Sequence, residues 1–426
     1  MDYHERAKEI DVVNGYRYIL GREPENKEVV RSLVESGISI EALRKHFFSS
    51  EEFRNRHSFL IRGFSYGLSK YEFGGGRFID WCLPGKVLPG DEICESIMDN
   101  RPFEDVNVVY KVISSLVKKS GNKKSGNVWE SLFGSCSSSE KPTMLDIGAN
   151  VGKFSVLFAL NGWNVYSIEA SEANIGALRK TVELNRLPVT VCPYILHEKS
   201  RKMLFYQYGP WGMCVPHEAN EIYEKFFGGV VPHELDAICL NDWKNTELKH
   251  IKCLDFVKMD IEGSEVAALR GADNFLEHFH YPPIFCECNK WTLFLQRETS
   301  CSFMDAFYRL GYRAYKIVDG KLVDTSALDR YQVEINTDYL FIHSRNGMEF
   351  ECMKETNISM RETCERTVAY LSGDSMPEIA GTLYSLFENE ELMNEPMIQE
   401  EVGKVKEKYP DDVFIRLAFS SSSKKR

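Results

Sequence analysis

The chain has 426 residues, long enough for a full α/β domain plus one or two smaller modules. Its 43% hydrophobic and 27% charged content is ordinary for a globular protein and excludes a disordered or fibrous one. A net charge of -11 argues against a nucleic-acid partner held by a broad basic footprint.

The start, Met1-Asp-Tyr-His-Glu-Arg6, lacks a basic region before an apolar core, so no secretory signal is expected. No run approaches the ~18 apolar residues that span a bilayer, and the expected location is cytoplasmic. The 12 cysteines are scattered, with no C-x-x-C pair to open a zinc site. Buried free thiols in a reducing compartment are expected.

Residues 1–58 read as a helical module. Val12, Val13, Tyr16, Ile19 and Leu20 recur at helical spacing before Gly21, and Val29, Val30, Leu33 and Val34 mark a second helix. Leu43 and Phe47 mark a third, and Ser49-Ser-Glu-Glu52 has capping-box spacing for a fourth. Tyr16-Arg-Tyr-Ile-Leu-Gly-Arg-Glu-Pro24 and Phe47-Phe-Ser-Ser-Glu-Glu-Phe53 resemble the DUF4214 module, which is often joined to glycan-modifying enzymes. A plain helical cap on a larger domain fits the same residues.

Next come one strand (Arg77 to Leu83) and two helices, Asp91 to Met98 and Val108 to Val117. Glu104 reads either as a helix-start acid or as a side chain reaching a ligand pocket. Residues 119–141 are polar and rich in small residues, as in a surface excursion.

The organising stretch follows. An apolar run ending in Asp146 reads as a buried parallel strand, Gly148-Ala-Asn-Val-Gly152 as a tight turn, and Lys153 to Leu160 as the helix leaving it. Such a turn places a nucleotide-like ligand at the carboxyl edge of a sheet, with glycines admitting close backbone approach. The next strand, Asn164 to Glu169, ends in an acid at about the 20-residue spacing that suits ribose hydroxyls. A dinucleotide enzyme needs G-x-G-x-x-G for its pyrophosphate. The pattern here is D-x-G-x-N-x-G, which suits a nucleoside carrying an amino acid: S-adenosylmethionine.

Asp146-Ile-Gly-Ala-Asn-Val-Gly152, Ile168-Glu-Ala-Ser-Glu-Ala-Asn174 and Val257-Lys-Met-Asp-Ile-Glu-Gly-Ser-Glu-Val-Ala-Ala-Leu-Arg-Gly-Ala272 together resemble the FkbM family of S-adenosylmethionine-dependent methyltransferases. The resemblance covers residues 75–345. It implies an α/β class I methyltransferase domain, a Rossmann-like sheet with helices on both faces, between small helical N-terminal and C-terminal modules. Asp146, Gly148, Asn150, Gly152, Glu169 and Ala170 fall at its cofactor-binding positions.

Beyond the motif, Ala173 to Leu187 reads as a helix, with strands at Val189 to Ile195 and Lys199 to Tyr208. Trp211 sits in a Gly-Pro-Trp-Gly loop that either lines a substrate pocket or covers the core. His217 and His233, in two Val-Pro-His-Glu echoes, are candidate proton acceptors or plain loop histidines. Phe256 to Asp260 is a strand, Ser264 to Leu269 a helix and Pro283 to Cys288 a further strand. A helix (Phe303 to Leu310) and closing strands (Gly311 to Val318, Tyr339 to His343) complete the domain. Residues 350–420 read as a helical extension, with Pro377 in the first turn of one helix; docking on the core is the default expectation.

Methyl transfer from a sulfonium to an alcohol is an in-line displacement that also needs the hydroxyl proton removed. Asp260, Glu262 and Glu287 lie at predicted strand ends on the cofactor edge, where carboxylates serve as base or as ligands to a divalent cation. Asp260 fits a cofactor-lining role equally, Glu262 a helix cap, and Lys258 is expected to point away. No metal site is assigned from the sequence. The expected activity is O-methylation of a small-molecule or glycan hydroxyl, with oligomerisation open. A cofactor-binding scaffold that has lost transfer is the alternative.

Overall fold

The computed structural model describes residues 6–19, 24–49, 66–72, 77–84, 91–121, 141–208, 211–215, 230–325, 334–346, 353–354 and 359–422. The chain opens with α1 (Glu9–Asn14), continued by a π-helical stretch (Gly15–Ile19), then α2 (Lys27–Glu35) and α3 (Ile40–Ser49). Strands β1 (Tyr66–Glu72) and β2 (Phe78–Pro84) follow, then α4 (Glu92–Met98) and α5 (Glu104–Gly121). Next are β3 (Thr143–Ile147), α6 (Lys153–Leu160), β4 (Asn164–Ile168), α7 (Glu172–Asn185) and β5 (Val189–Cys192). Strands β6 (Ile195–Leu196), β7 (Arg201–Tyr208), β8 (Trp211–Val215) and β9 (His233–Ile238) lead to α8 (Leu240–Asn245). Then come β10 (Phe256–Met259), α9 (Glu265–Arg270), α10 (Asp273–His278), β11 (Ile284–Asn289), α11 (Lys290–Leu295) and α12 (Ser300–Arg309). The last strands are β12 (Tyr312–Val318), β13 (Lys321–Asp324), β14 (Asn336–His343) and β15 (Met353–Lys354). Helices α13 (Met360–Leu371), α14 (Met376–Leu386), α15 (Glu390–Met393), α16 (Pro396–Lys408) and α17 (Val413–Ser422) end the described chain.

These elements form two compact units, one from residues 1–102, 170–186 and 202–235, the other from 103–169, 187–201 and 236–426. In the first, α1, α2 and α3 bury Ala7, Val12, Tyr16, Val30, Leu43 and Phe47 against one another. Asn26 caps α2 by accepting hydrogen bonds from the amides of Glu28 and Val29. The fourth helix expected after Ser49 lies outside the described residues. β1 and β2 pair antiparallel, and α7 is laced to β2: the Cys82 amide donates to Thr181 Oγ1 at 2.8 Å, and Asn185 bonds both backbone groups of Asp80. β1 has no counterpart in the sequence reading. Its outer residue Leu68 is 63% exposed, so no buried stripe marks it, and pairing with β2 makes it a strand.

The second unit is built on a nine-stranded sheet in the order β15-β13-β12-β14-β11-β10-β3-β4-β5. From β5 to β11 all neighbours are parallel, while β14 runs antiparallel between β11 and β12. The chain goes from β3 outward to β4 and β5, then returns to the other side of β3 as β10. That reversal makes the β3/β10 boundary a topological switch point, where open α/β sheets bind ligands.

Both faces are covered. On one, α6 stacks Phe158 on Phe256 and sets Phe154 against Phe285. On the other, Leu145, Ile147, Val257, Met259, Ile284 and Phe341 form a core with Val266, Leu269, Phe275, Phe303 and Phe307. The C-terminal helices dock on α11: Phe294 packs edge-on to Tyr384, Trp291 edge-on to Phe414, and Gly381 lets α14 approach the Lys290 backbone. Nine of the described cysteines are free. Cys253 is disulfide-bonded, which departs from the expectation of free thiols throughout. Among the described residues no helix is long and apolar enough to cross a membrane.

Phe307 is fully buried, with its ring stacked 3.5 Å from that of Phe341. Phe307→Ala is expected to lower unfolding free energy by about 3–5 kcal/mol, read as a lower denaturant midpoint at unchanged slope.

Candidate functional site

Strand β3 ends at the switch point, and the chain turns through Gly148 to Gly152 into α6. Gly148 (φ 75°), Asn150 (φ 51°) and Gly152 (φ 95°) are all left-handed. A Cβ on Gly148 would stand 1.8 Å from the Asp260 carbonyl oxygen, so only glycine lets these two strand tips touch.

Each amide of the turn is already engaged. Those of Gly148 and Ala149 donate to the Ile168 carbonyl at 2.9 and 3.0 Å, and that of Gly152 to the Ala149 carbonyl at 2.8 Å. The Asn150 amide donates to Glu169 Oε2 at 2.8 Å, and the Val151 amide to Asn150 Oδ1 at 2.7 Å. The Asn150 side chain thus braces the turn. A phosphate-binding turn aims such amides at its anion. This one has none to offer, which fits a ligand without phosphate.

Beneath the turn lies a buried polar row. The register aligns Ser167 of β4, Asp146 of β3 and Lys258 of β10 on one sheet face. Asp146 has no exposed surface; its Oδ2 accepts from Ser155 of α6 at 2.5 Å, and Ser155 also bonds Ser167 at 2.7 Å. Its Oδ1 faces Lys258 Nζ at 3.8 Å. Lys258, expected to point away, points into the site. Its ammonium donates to the Gly148 carbonyl at 2.7 Å and lies 3.2 Å from Asp260 Oδ2. Burial alone would lower the lysine pKa, but the Asp260 and Asp146 carboxylates outweigh it and hold the ammonium above its ordinary range. Burial pushes the Asp146 carboxyl up, opposed by Lys258 and Ser155.

The three acids expected at strand tips do gather. Asp260 follows β10 and is partly exposed; Glu262 (φ 55°) and Gly263 turn the chain into α9; Glu287 lies on β11, its Oε1 accepting from Asn336 Nδ2 at 2.6 Å. Burial, reinforced by the Asp260 charge, raises Glu262 well above the usual carboxylate range and Glu287 to about 7. Glu262 does not cap the next helix. Glu265, the first residue of α9, reaches back to the turn, its Oε1 accepting from the Ile261 amide at 2.8 Å, and burial lifts its pKa to about 8. Among the described residues no group of three or more His, Cys, Asp or Glu could hold a metal ion.

Glu169 is nearly buried at the tip of β4, and Ala170 follows it, half-buried. Glu104 is an exposed acid in the first turn of α5, and beside it Asp105 pairs with Lys153. His233 is exposed at the start of β9. His217 and the Trp211 side chain lie outside the described residues.

Sequence reasoning missed Glu265, Ser155, Ser167 and Asn336, and misplaced Lys258. A charged residue inside an otherwise apolar parallel strand was the available signal for Lys258.

Residues 146–314 match the family profile described as the methyltransferase FkbM domain. Over those residues the chain is similar to a methyltransferase domain, and its sheet is α/β and Rossmann-like in architecture. No curated protein sequence matches the chain. Among solved structures, the bifunctional kinase-methyltransferase WbdD aligns at 10% identity over 60% of this chain and 42% of its own, with a TM-score of 0.32. A SAM-dependent methyltransferase from Agrobacterium tumefaciens aligns at 8% identity over 64% and 69%, with a TM-score of 0.31. The T. thermophilus 16S rRNA N2 G1207 methyltransferase, solved with AdoMet and guanosine, aligns at 11% over 66% and 50%, with a TM-score of 0.29. The chain spans less than half the length of WbdD.

Glu265 makes a test of the buried acids. A carboxyl whose pKa rises on folding holds its proton in the native state, so its contribution is full below about 4.5 and is lost as pH climbs towards about 8. Glu265→Gln keeps the acceptor oxygen for Ile261. Its stability relative to wild type is expected to improve with pH by up to about 1.4 kcal/mol per unit across that window, measured by denaturant melts.

Proposed function

We propose that this protein is an S-adenosylmethionine-dependent O-methyltransferase that modifies a hydroxyl of a sugar, glycan or secondary metabolite. One observation carries the reading: a glycine turn whose amides are all engaged, flanked by Glu169 on one side and by Asp260, Glu262 and Glu287 on the other. Such a turn suits a nucleoside held by hydroxyls and a cationic amino acid, and carboxylates are the natural partners of both. The net charge of -11 disfavours a polyanion, which favours a neutral hydroxyl acceptor over a nucleic acid. The DUF4214-like motifs of the N-terminal helices favour glycan among such acceptors.

In this reading the Gly148–Gly152 backbone lines the cofactor crevice, and Glu169 accepts from the two ribose hydroxyls. Asp146 shapes the crevice from beneath through Ser155 and Lys258. When bound, the cofactor would supply a methyl group on a sulfonium, with its thioether as the leaving group. The acceptor hydroxyl would then have to give its proton to a base. Glu287, with a pKa of about 7, is matched to that task near neutrality, and Asp260 and Glu262 stand beside it.

The test is incubation with methyl-labelled cofactor and glycan and metabolite fractions of a lysate, beside titration with S-adenosylhomocysteine. Label is expected in a glycan or metabolite fraction. Label in protein alone would redirect the assignment, and tight binding without any turnover would favour a scaffold. With an acceptor in hand, turnover is expected to rise with pH through about 7 as Glu287 ionises. Glu287→Gln should lower kcat by roughly 10²–10⁴-fold with little change in cofactor affinity.

A further inference from the structure

We propose that Lys258 is a positioning residue for methyl transfer, its ammonium tying the carbonyl of the cofactor turn to the carboxylate of Asp260 across the switch point. The inference rests on the reading of the turn as a cofactor site, and goes beyond it by naming what holds the two halves of that site together.

β10 is otherwise apolar, Phe256, Val257 and Met259 all being buried. An aliphatic side chain at 258 would complete such a strand without the large cost of taking an ammonium out of water. The lysine is nonetheless there, 6% exposed, over the Phe154 ring and ringed by four oxygens. Two are backbone carbonyls, Gly148 at 2.7 Å and Ile147 at 3.4 Å, and two are carboxylates, Asp260 at 3.2 Å and Asp146 at 3.8 Å. The partners divide by role. Gly148 opens the turn on the cofactor side, whereas Asp260 begins the acidic group on the acceptor side. The two segments also meet through backbone, since the Asp260 carbonyl occupies the space a Gly148 Cβ would need. In-line transfer tolerates little misplacement of donor against acceptor. A short charged link between the two loops is a direct way to fix that spacing.

Stability and positioning separate in a cycle of Lys258→Met, Asp260→Asn and the double variant, read by melting temperature, S-adenosylhomocysteine affinity and hydrogen exchange of the 143–152 segment. Lys258→Met strands two carboxylates, so its melting temperature should fall, and removing the Asp260 charge as well should restore part of it. Cofactor affinity is expected to fall at least tenfold in Lys258→Met and to stay there in the double variant, without a further multiplied loss. Turn amides should exchange at least tenfold faster in both. Wild-type affinity in Lys258→Met, recovery of affinity in step with melting temperature, or losses that multiply would each overturn the proposal. If wild type itself does not bind S-adenosylhomocysteine, the cofactor reading fails. The exchange result then still decides whether Lys258 holds the turn: unchanged protection in Lys258→Met rejects it.

Discussion

The carboxyl edge of the sheet depends on one buried charge contact, the Lys258 ammonium set against Asp146 and the turn that follows it. Parallel pairing of β3 with β10 puts residues 146 and 258 side by side, both almost out of water. Charges so buried persist only when paired and hydrogen-bonded. Here the lysine has carbonyls and carboxylates on several sides, and Asp146 has Ser155. The contact therefore dictates the path of the backbone at Gly148 and the place of Asp260.

From that contact the rest of the site follows in two directions. Towards β4, the turn uses up its own amides on Ile168, Ala149, Glu169 and Asn150, so no nest of free amides remains for a phosphate. Towards β11, the acids crowd. Glu262, Glu265 and Glu287 share the field of Asp260, and burial keeps protons on them to higher pH than in water. A carboxyl poised near neutrality, as Glu287 is, suits a group that moves a proton. The left-handed backbone at Glu262 is strain of the sort that collects at working sites.

Much of the scaffold could be read without coordinates. Asp146 and the two glycines marked a strand, turn and helix because hydrophobic run, glycine spacing and helical periodicity agree there. Strands such as Tyr339–His343 were visible as apolar runs, although β14 begins earlier, at Asn336. Other elements left little trace. β1, β8, β13 and β15 are short or polar and exist because a neighbour pairs with them; α10 and α11 span six residues each, too few for a periodic signal. Glu262, read as a base, a cation ligand or a helix cap, does not cap α9, whose N-cap Ser264 carries no side-chain cap bond.

The amino-acid sequence by itself determined the order of strand-tip acids and glycines, and with it the chemistry available at the sheet edge. Local patterns suffice because a tight turn is specified by the residues in it. Only the tertiary structure decided which of those groups meet. Strand register set Lys258 beside Asp146 rather than facing away, and packing of β10 against β3 brought Gly148 onto Asp260. Neither can be read along the chain, because a one-residue slip in register turns every side chain to the opposite face.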